Sequence, residues 1–164
     1  MASAGAWGGV NGGFFSYEGP PLGMLVIDGE WISEPWPGRT ALGITNDGRL
    51  LMDRVSFAAR IVFAGLGTQK LHALNHGHAE QDTLVMYTRR WGEVVAGAQN
   101  RTRLIVNATG VVTHKVTDGS ACPIPAGGFV LSGIGRMAGS LNEVPMGTAV
   151  SAQLGTNPAW PDLR

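Results

Sequence analysis

Apolar residues in this chain come in short runs, broken every few positions by Gly, Pro, Asn or Asp. Met24–Ile27 is apolar and closes on Asp28-Gly29, and Glu30-Trp31-Ile32 resumes before Pro35-Trp36-Pro37-Gly38 interrupts. This predicts a hairpin from Leu22 to Trp31 with its turn at Asp28-Gly29. Ala41–Thr45, Asn46-Asp47-Gly48 and Arg49–Asp53 repeat the design, with turn residues that tolerate positive φ. Further strands are predicted at Ser56–Phe63, Lys70–Asn75, Thr83–Thr88, Arg101–Asn107, Val111–Val116, Phe129–Ser132 and Thr148–Leu154. Arg101–Asn107 alternates imperfectly. One short helix is predicted over Arg136–Val144, ended by Pro145. The pattern is that of a mainly β fold with about ten short strands, one or two short helices, and under about a fifth of its residues helical.

Composition supports that picture. The chain has 164 residues and 44% hydrophobic content, which suits one globular domain spanning 1–164. Its 25 glycines favour frequent turns over long helices. Twelve Lys+Arg balance twelve Asp+Glu, so no basic excess points to nucleic acid or an anionic membrane. The first residues carry no signal-peptide pattern, and no apolar run approaches the ~18 residues of a membrane helix. A single cysteine, Cys122, excludes an intrachain disulfide and is expected to be a buried free thiol. Asn100-Arg101-Thr102 and Asn107-Ala108-Thr109 match the glycosylation sequon, which matters only in a eukaryotic secretory pathway.

Three segments carry candidate chemistry. In Val10-Asn11-Gly12-Gly13-Phe14-Phe15, the glycines suit either a hairpin turn or a nest of N–H groups for an anion such as phosphate. In His72–Asp82, His76 and His78 with Glu80 or Asp82 suit a metal site, while the same composition suits a solvated loop. The expectation is that no metal or other cofactor is bound, since nothing fixes the ligand geometry. In Tyr87-Thr88-Arg89-Arg90-Trp91-Gly92, an arginine can grip a phosphate or carboxylate and an aromatic ring can stack on a sugar. The same residues equally suit a surface arginine pair beside a packed Trp. Asp28, Asp47 and Asp118 each precede glycine and read as turn residues.

The order of these motifs resembles the phosphodiester glycosidase family. The likeness runs through Asn11-Gly12-Gly13-Phe14-Phe15, Pro21-Leu22-Gly23, Ile27-Asp28-Gly29 and Ala73-Leu74-Asn75. It continues through Leu84–Gly92 and Ile124–Gly135 to Asn157–Asp162. Members of that family include the enzyme that uncovers mannose 6-phosphate by removing N-acetylglucosamine from a phosphodiester, and many bacterial proteins. The resemblance implies hydrolysis of a sugar 1-phosphodiester at the glycosidic bond, an α+β fold for the full family domain, and a secreted or envelope location. It implies substrate binding by Asn11, Gly12, Gly13, Phe14, Tyr87, Thr88 and Arg89, and leaves the catalytic group unassigned. Family segments rich in Gly, Asn and Asp that follow the Trp-x-Asp stretch have no counterpart here. The chain therefore resembles the N-terminal half of the catalytic domain, expected to turn over poorly alone and to self-associate, most simply as a homodimer. Two alternatives stand beside it: a non-catalytic carbohydrate-binding β module using Trp31, Trp36 or Trp91, and a small metallohydrolase using His76 and His78.

Overall fold

The computed structural model describes residues 21–77 and 80–160. Sixteen short strands and one helix follow one another along them. In chain order the strands are β1 Leu25–Ile27, β2 Glu30–Ser33, β3 Thr40–Ile44, β4 Leu50–Arg54, β5 Ser56–Phe57, β6 Ala59–Phe63, β7 Gly67–Leu71 and β8 Ala73–Leu74. They continue as β9 Leu84–Tyr87, β10 Val94–Val95, β11 Arg101–Val106, β12 Val112–Val116, β13 Cys122–Pro123 and β14 Phe129–Ile134. Helix α1 spans Arg136–Asn142, and β15 Val150–Gln153 and β16 Thr156–Asn157 close the order. The fold is mainly β, as the turn spacing predicts.

Both predicted hairpins are present. β1 pairs with β2 around Asp28-Gly29, with Asp28 at φ 52° and Gly29 at φ 76°. β3 pairs with β4, and Leu42 faces Met52 while Ile44 faces Leu50. Those four side chains are all exposed, so one face of this ribbon is apolar and open.

The centre is a five-stranded sheet in the order β12-β11-β14-β9-β8, antiparallel except for the parallel β8–β9 pair. One face carries Leu84, Met86, Leu104, Val106 and Leu131. They pack with Ile61, Phe63, Leu71 and Val150 of the three-stranded sheet β15-β6-β7 and with Leu141 of α1. The other face carries Val85, Tyr87, Ile105 and Val130 against Val95, Cys122 and Ile124. A sheet covered on both sides does not alternate apolar with polar, which explains the irregular pattern of Arg101–Asn107. Cys122 is buried, and burial pushes its thiol pKa up.

Two predicted strands are interrupted, and for one reason: the chain changes sheet. Ser56–Phe63 splits at Ala58, where β5 pairs with β16 and β6 with β15; the Ala58 N–H donates to Gly155 O at 2.9 Å. Lys70–Asn75 splits at His72, where the chain leaves the three-stranded sheet and enters the central one. The helix ends at Asn142 rather than Val144: Glu143 caps it with a last helical bond to Gly139 O, and the Val144 N–H tightens onto Leu141 O, three residues back.

Helix α1 has an unusual start. Gly135 at φ 60° precedes it without a side-chain cap of its own. Asp82, far away in sequence, supplies the cap, accepting from the Arg136 backbone N–H at 2.7 Å and from Arg136 Nε at 3.0 Å. Hydrogen bonding to the Arg136 N–H and side chain holds the Asp82 carboxyl below its ordinary value. A depressed carboxylate pKa stabilises the fold above the unfolded value of about 4 and loses that contribution as pH falls through the folded one. Asp82→Asn is therefore expected to lower the melting temperature at pH 7, with a gap that closes as pH falls through the folded value. Thermal melts of both proteins across pH 2–8 check this, and a gap that widened in acid would contradict it.

Candidate functional site

The cleft of interest opens between the segment after β2 and the segments around β8. It holds about 630 Å³ and is lined by Glu34, Trp36, Phe57, His72, His76 and Glu80, among others. Trp36 is held by Pro35 and Pro37 on either side, a stiff frame for a large ring. It is 38% exposed. Its ring meets His76 edge-on, centroids 6.2 Å apart at 78°, and the Arg39 guanidinium lies 5.7 Å from its centroid.

Glu34 is the acidic group set deepest in this cleft. Its Oε2 accepts the Leu74 N–H at 3.1 Å, joining the end of β2 to β8. Burial pushes its pKa up, against the opposing pull of backbone N–H groups and of His76. His76 Nδ1 lies 3.0 Å from Gly77 O. A carbonyl can only accept, so Nδ1 carries the hydrogen and the neutral ring keeps a lone pair on Nε2. His72 is the reverse: its Nδ1 accepts the Leu84 N–H at 3.1 Å, and burial first, then Lys70, lowers its pKa. The cleft thus sets a carboxyl biased toward its protonated form beside an imidazole with a basic nitrogen, a combination suited to acid–base chemistry.

One buried residue organises the cleft floor. Asn75 is 2% exposed and sits at φ 51°. Its Nδ2 donates to Ile32 O and to Thr88 Oγ1, both at 2.9 Å, and its Oδ1 accepts the Thr88 N–H at 2.7 Å. This clamp joins the strand ends that lead to Glu34, His76 and Arg89. Asn75→Ala leaves the Ile32 carbonyl and the Thr88 N–H without partners and places a methyl group in a left-handed conformation. The expected cost is about 2 kcal/mol, measured by urea unfolding, with Asn75→Gly less damaging because glycine accepts the backbone angle.

The residues singled out from sequence divide as follows. Asn11, Gly12, Gly13 and Phe14 lie outside the described residues, and so does His78. Thr88 is in the clamp just described. Tyr87 is 5% exposed, with its ring against Trp91 at 5.1 Å and its phenol pKa raised by burial. Arg89 pairs with Glu93 at 3.0 Å at the surface. Arg90 forks onto Glu30, with Nε to Oε1 at 2.9 Å, and this contact lowers the Glu30 pKa. Of Trp31, Trp36 and Trp91, only Trp36 lines the cleft; Trp31 packs on Phe57 at 5.9 Å. Among the described residues no group of three His, Cys, Asp or Glu side chains is placed to hold a metal. Glu34 was not among the sequence candidates, since nothing in its spacing marks it.

No protein-family model matches the chain, and no curated protein gives a match. Two solved structures share its fold. A hypothetical protein from Synechocystis superposes with a TM-score of 0.70 at 24% identity, over 84% of this chain and 26% of that one. A protein of Burkholderia pseudomallei K96243, named "Putative exported protein", superposes with a TM-score of 0.71 at 23% identity, over 91% of this chain and 38% of that one. The chain thus spans roughly a quarter and well over a third of these two similar chains. Among the described residues no helix is long and apolar enough to cross a membrane.

Proposed function

We propose that this chain belongs to a phosphodiester glycosidase, or forms the substrate-binding part of one. The reaction is hydrolysis of a sugar 1-phosphodiester at the glycosidic bond. Support comes from the motif order in the sequence and from the cleft, where an exposed tryptophan, a carboxyl of raised pKa and an imidazole with a basic nitrogen converge. In this reading the sugar lies against Trp36. Water attacks the anomeric carbon, the C1–O bond to phosphorus breaks, and the phosphate monoester leaves with the bond electrons. The proton lost from water passes to His76 Nε2 or to the Glu34 carboxylate. Such a leaving group needs little protonation, so the heavier demands fall on orienting water and neutralising phosphate. By the family resemblance, phosphate contacts fall to the Gly12 and Gly13 N–H groups and to Arg89, and substrate binding to Asn11 and Phe14. A secreted or cell-envelope location belongs to the same proposal, in keeping with the exported name of one similar structure. So does a homodimer, for which the exposed Leu42, Ile44, Leu50 and Met52 face offers a contact.

The decisive assay uses the longest natural chain containing these residues, supplied with an N-acetylglucosamine 1-phosphodiester. Release of free sugar and phosphate monoester in equal amounts is the expected result. Saturable binding without turnover, lost in Trp36→Ala, would instead favour a carbohydrate-binding module, a reading that the exposed ring of Trp36 also supports. Neither turnover nor binding would overturn both.

A further inference from the structure

Two arginines leave β11 on the same face, two residues apart, and only one has a structural role. Arg103 is 3% exposed, and its Nη1 and Nη2 donate to Ser120 O and Ala96 O, each at 2.7 Å. They tie the strand to the two segments that cross this end of the sheet. The Arg101 side chain has no hydrogen bond or ion pair with any described residue, although its Nε is sealed from solvent. The Arg103 Nε is sealed and unpartnered in the same way, so what sets Arg101 apart is a guanidinium with no acceptor among the described residues at all.

Arg101 lines a second groove, of about 760 Å³, at the end of β11 against α1. Around it stand the amides of Gln81, Gln99, Asn100 and Asn142 and the hydroxyl of Thr117; no Asp or Glu is in the lining. Nearby carboxylates are already engaged. Asp82 caps α1, and Asp118 accepts the Ser120 N–H at 2.9 Å. Lys115 adds a second cation close by, its Nζ donating to Asn142 O. The positive charges of Arg101 and Arg103 also act on Tyr87, partly offsetting the rise that burial gives its pKa. The groove lies across the 80–83 segment from the Trp36 cleft: Glu80 and Thr83 line the cleft, and Gln81 lines the groove.

We propose that this groove binds an acidic saccharide. The open donors are the two Nη groups of Arg101, an end-on fork that matches two oxygens of a carboxylate or a phosphate. Amide side chains donate and accept at once, which suits the hydroxyls of a sugar ring. The ligand chemistry is therefore an anionic oxygen pair on a hydroxyl-rich ring, as in a uronic acid or a sugar phosphate. This site does not depend on the reaction assigned to the cleft.

The test is a titration followed by the side-chain amide NMR resonances of Gln81, Gln99, Asn100 and Asn142, with the Trp36 indole as reporter for the cleft. Probes are glucuronate, glucose 6-phosphate, neutral glucose and inorganic phosphate. Saturable shifts in the groove amides are expected with one or both acidic sugars and not with glucose, while the Trp36 signal stays still. Arg101→Lys, which keeps the charge and loses the fork, is expected to weaken binding about tenfold. Asn142→Ala, at the groove rim, is expected to weaken it about threefold, and it tests the site even if the arginine variant misfolds. Absence of any saturable shift would overturn the site. Equal binding by wild type and Arg101→Lys would overturn the role of the fork, and inorganic phosphate binding as tightly as the sugar phosphate would overturn the saccharide.

Discussion

Gly133→Ala is expected to cost about 3 kcal/mol or more and to lower the melting temperature by roughly 6–12 °C. Gly133 sits in β14 at the middle of the central sheet, where it pairs with both Thr102 and Leu84. A methyl group there would lie 2.6 Å from Met137 O and 2.7 Å from Met137 C, with Ala138 N at 2.9 Å. These are backbone atoms of α1, so no rotamer change relieves the clash. The sheet must buckle or the helix must lift, and lifting it uncovers Leu141 and the apolar face beneath. Gly139 supplies the control, because it lies within α1 and a methyl group there meets nothing within 4 Å. Gly139→Ala is expected to be neutral or to stabilise by up to about 1 kcal/mol, since alanine restricts the unfolded chain and favours the helix. Calorimetry on the two variants separates the effects. Equal shifts would mean that α1 does not rest on Gly133.

The hairpins were readable because their turns are chemically marked. Asp28-Gly29 and Asn46-Asp47-Gly48 need few backbone solutions, and short apolar runs flank them on both sides. The ribbon of β10 and β13 was not readable. It is two residues wide, Val94–Val95 against Cys122–Pro123, and so short a segment has no period to detect. β16 is hidden for the same reason, as a two-residue partner of β5 a hundred positions earlier. The breaks at Ala58 and His72 are a different kind of failure. A strand that crosses from one sheet to another keeps its β-favouring residues, and only the identity of its partner changes, which no local pattern records.

The site divides in the same way. His72 to Asp82 stood out by composition, and its histidines were weighed for metal rather than for proton transfer. What the sequence hid was the other wall. Glu34 meets Leu74 across forty positions, and Pro35-Trp36-Pro37 read as a strand breaker although its stiffness is what holds Trp36 in the cleft. Asn75 and Thr88 belong to two separate motif segments that the structure joins into one clamp. Their side chains bond buried backbone groups, so a structural demand accounts for both residue types before any substrate is considered.

On the reaction proposed above, Glu34→Gln is expected to reduce turnover by 10²- to 10⁴-fold, roughly what loss of a general acid or base removes. The substitution is nearly isosteric, and an amide oxygen can still accept the Leu74 N–H that Glu34 Oε2 now accepts at 3.1 Å. Folding is thus preserved while the exchangeable proton is lost. Stability carries an independent signature. Burial raises the Glu34 pKa above its ordinary 4.5, so the folded state holds the proton more tightly than the unfolded state does. That contribution is fully present below about pH 4.5 and is lost as pH rises through the folded value. Glutamine has no charge to bury, so the melting temperature of Glu34→Gln minus that of the wild type should increase with pH across this window. Both readouts come from one pair of proteins. A widening gap with unchanged turnover would show a buried carboxyl that takes no part in the chemistry, and the acid–base role would pass to His76. Lost turnover together with loss of the pH–rate limb that Glu34 sets, and with substrate still bound, would place its proton in the reaction.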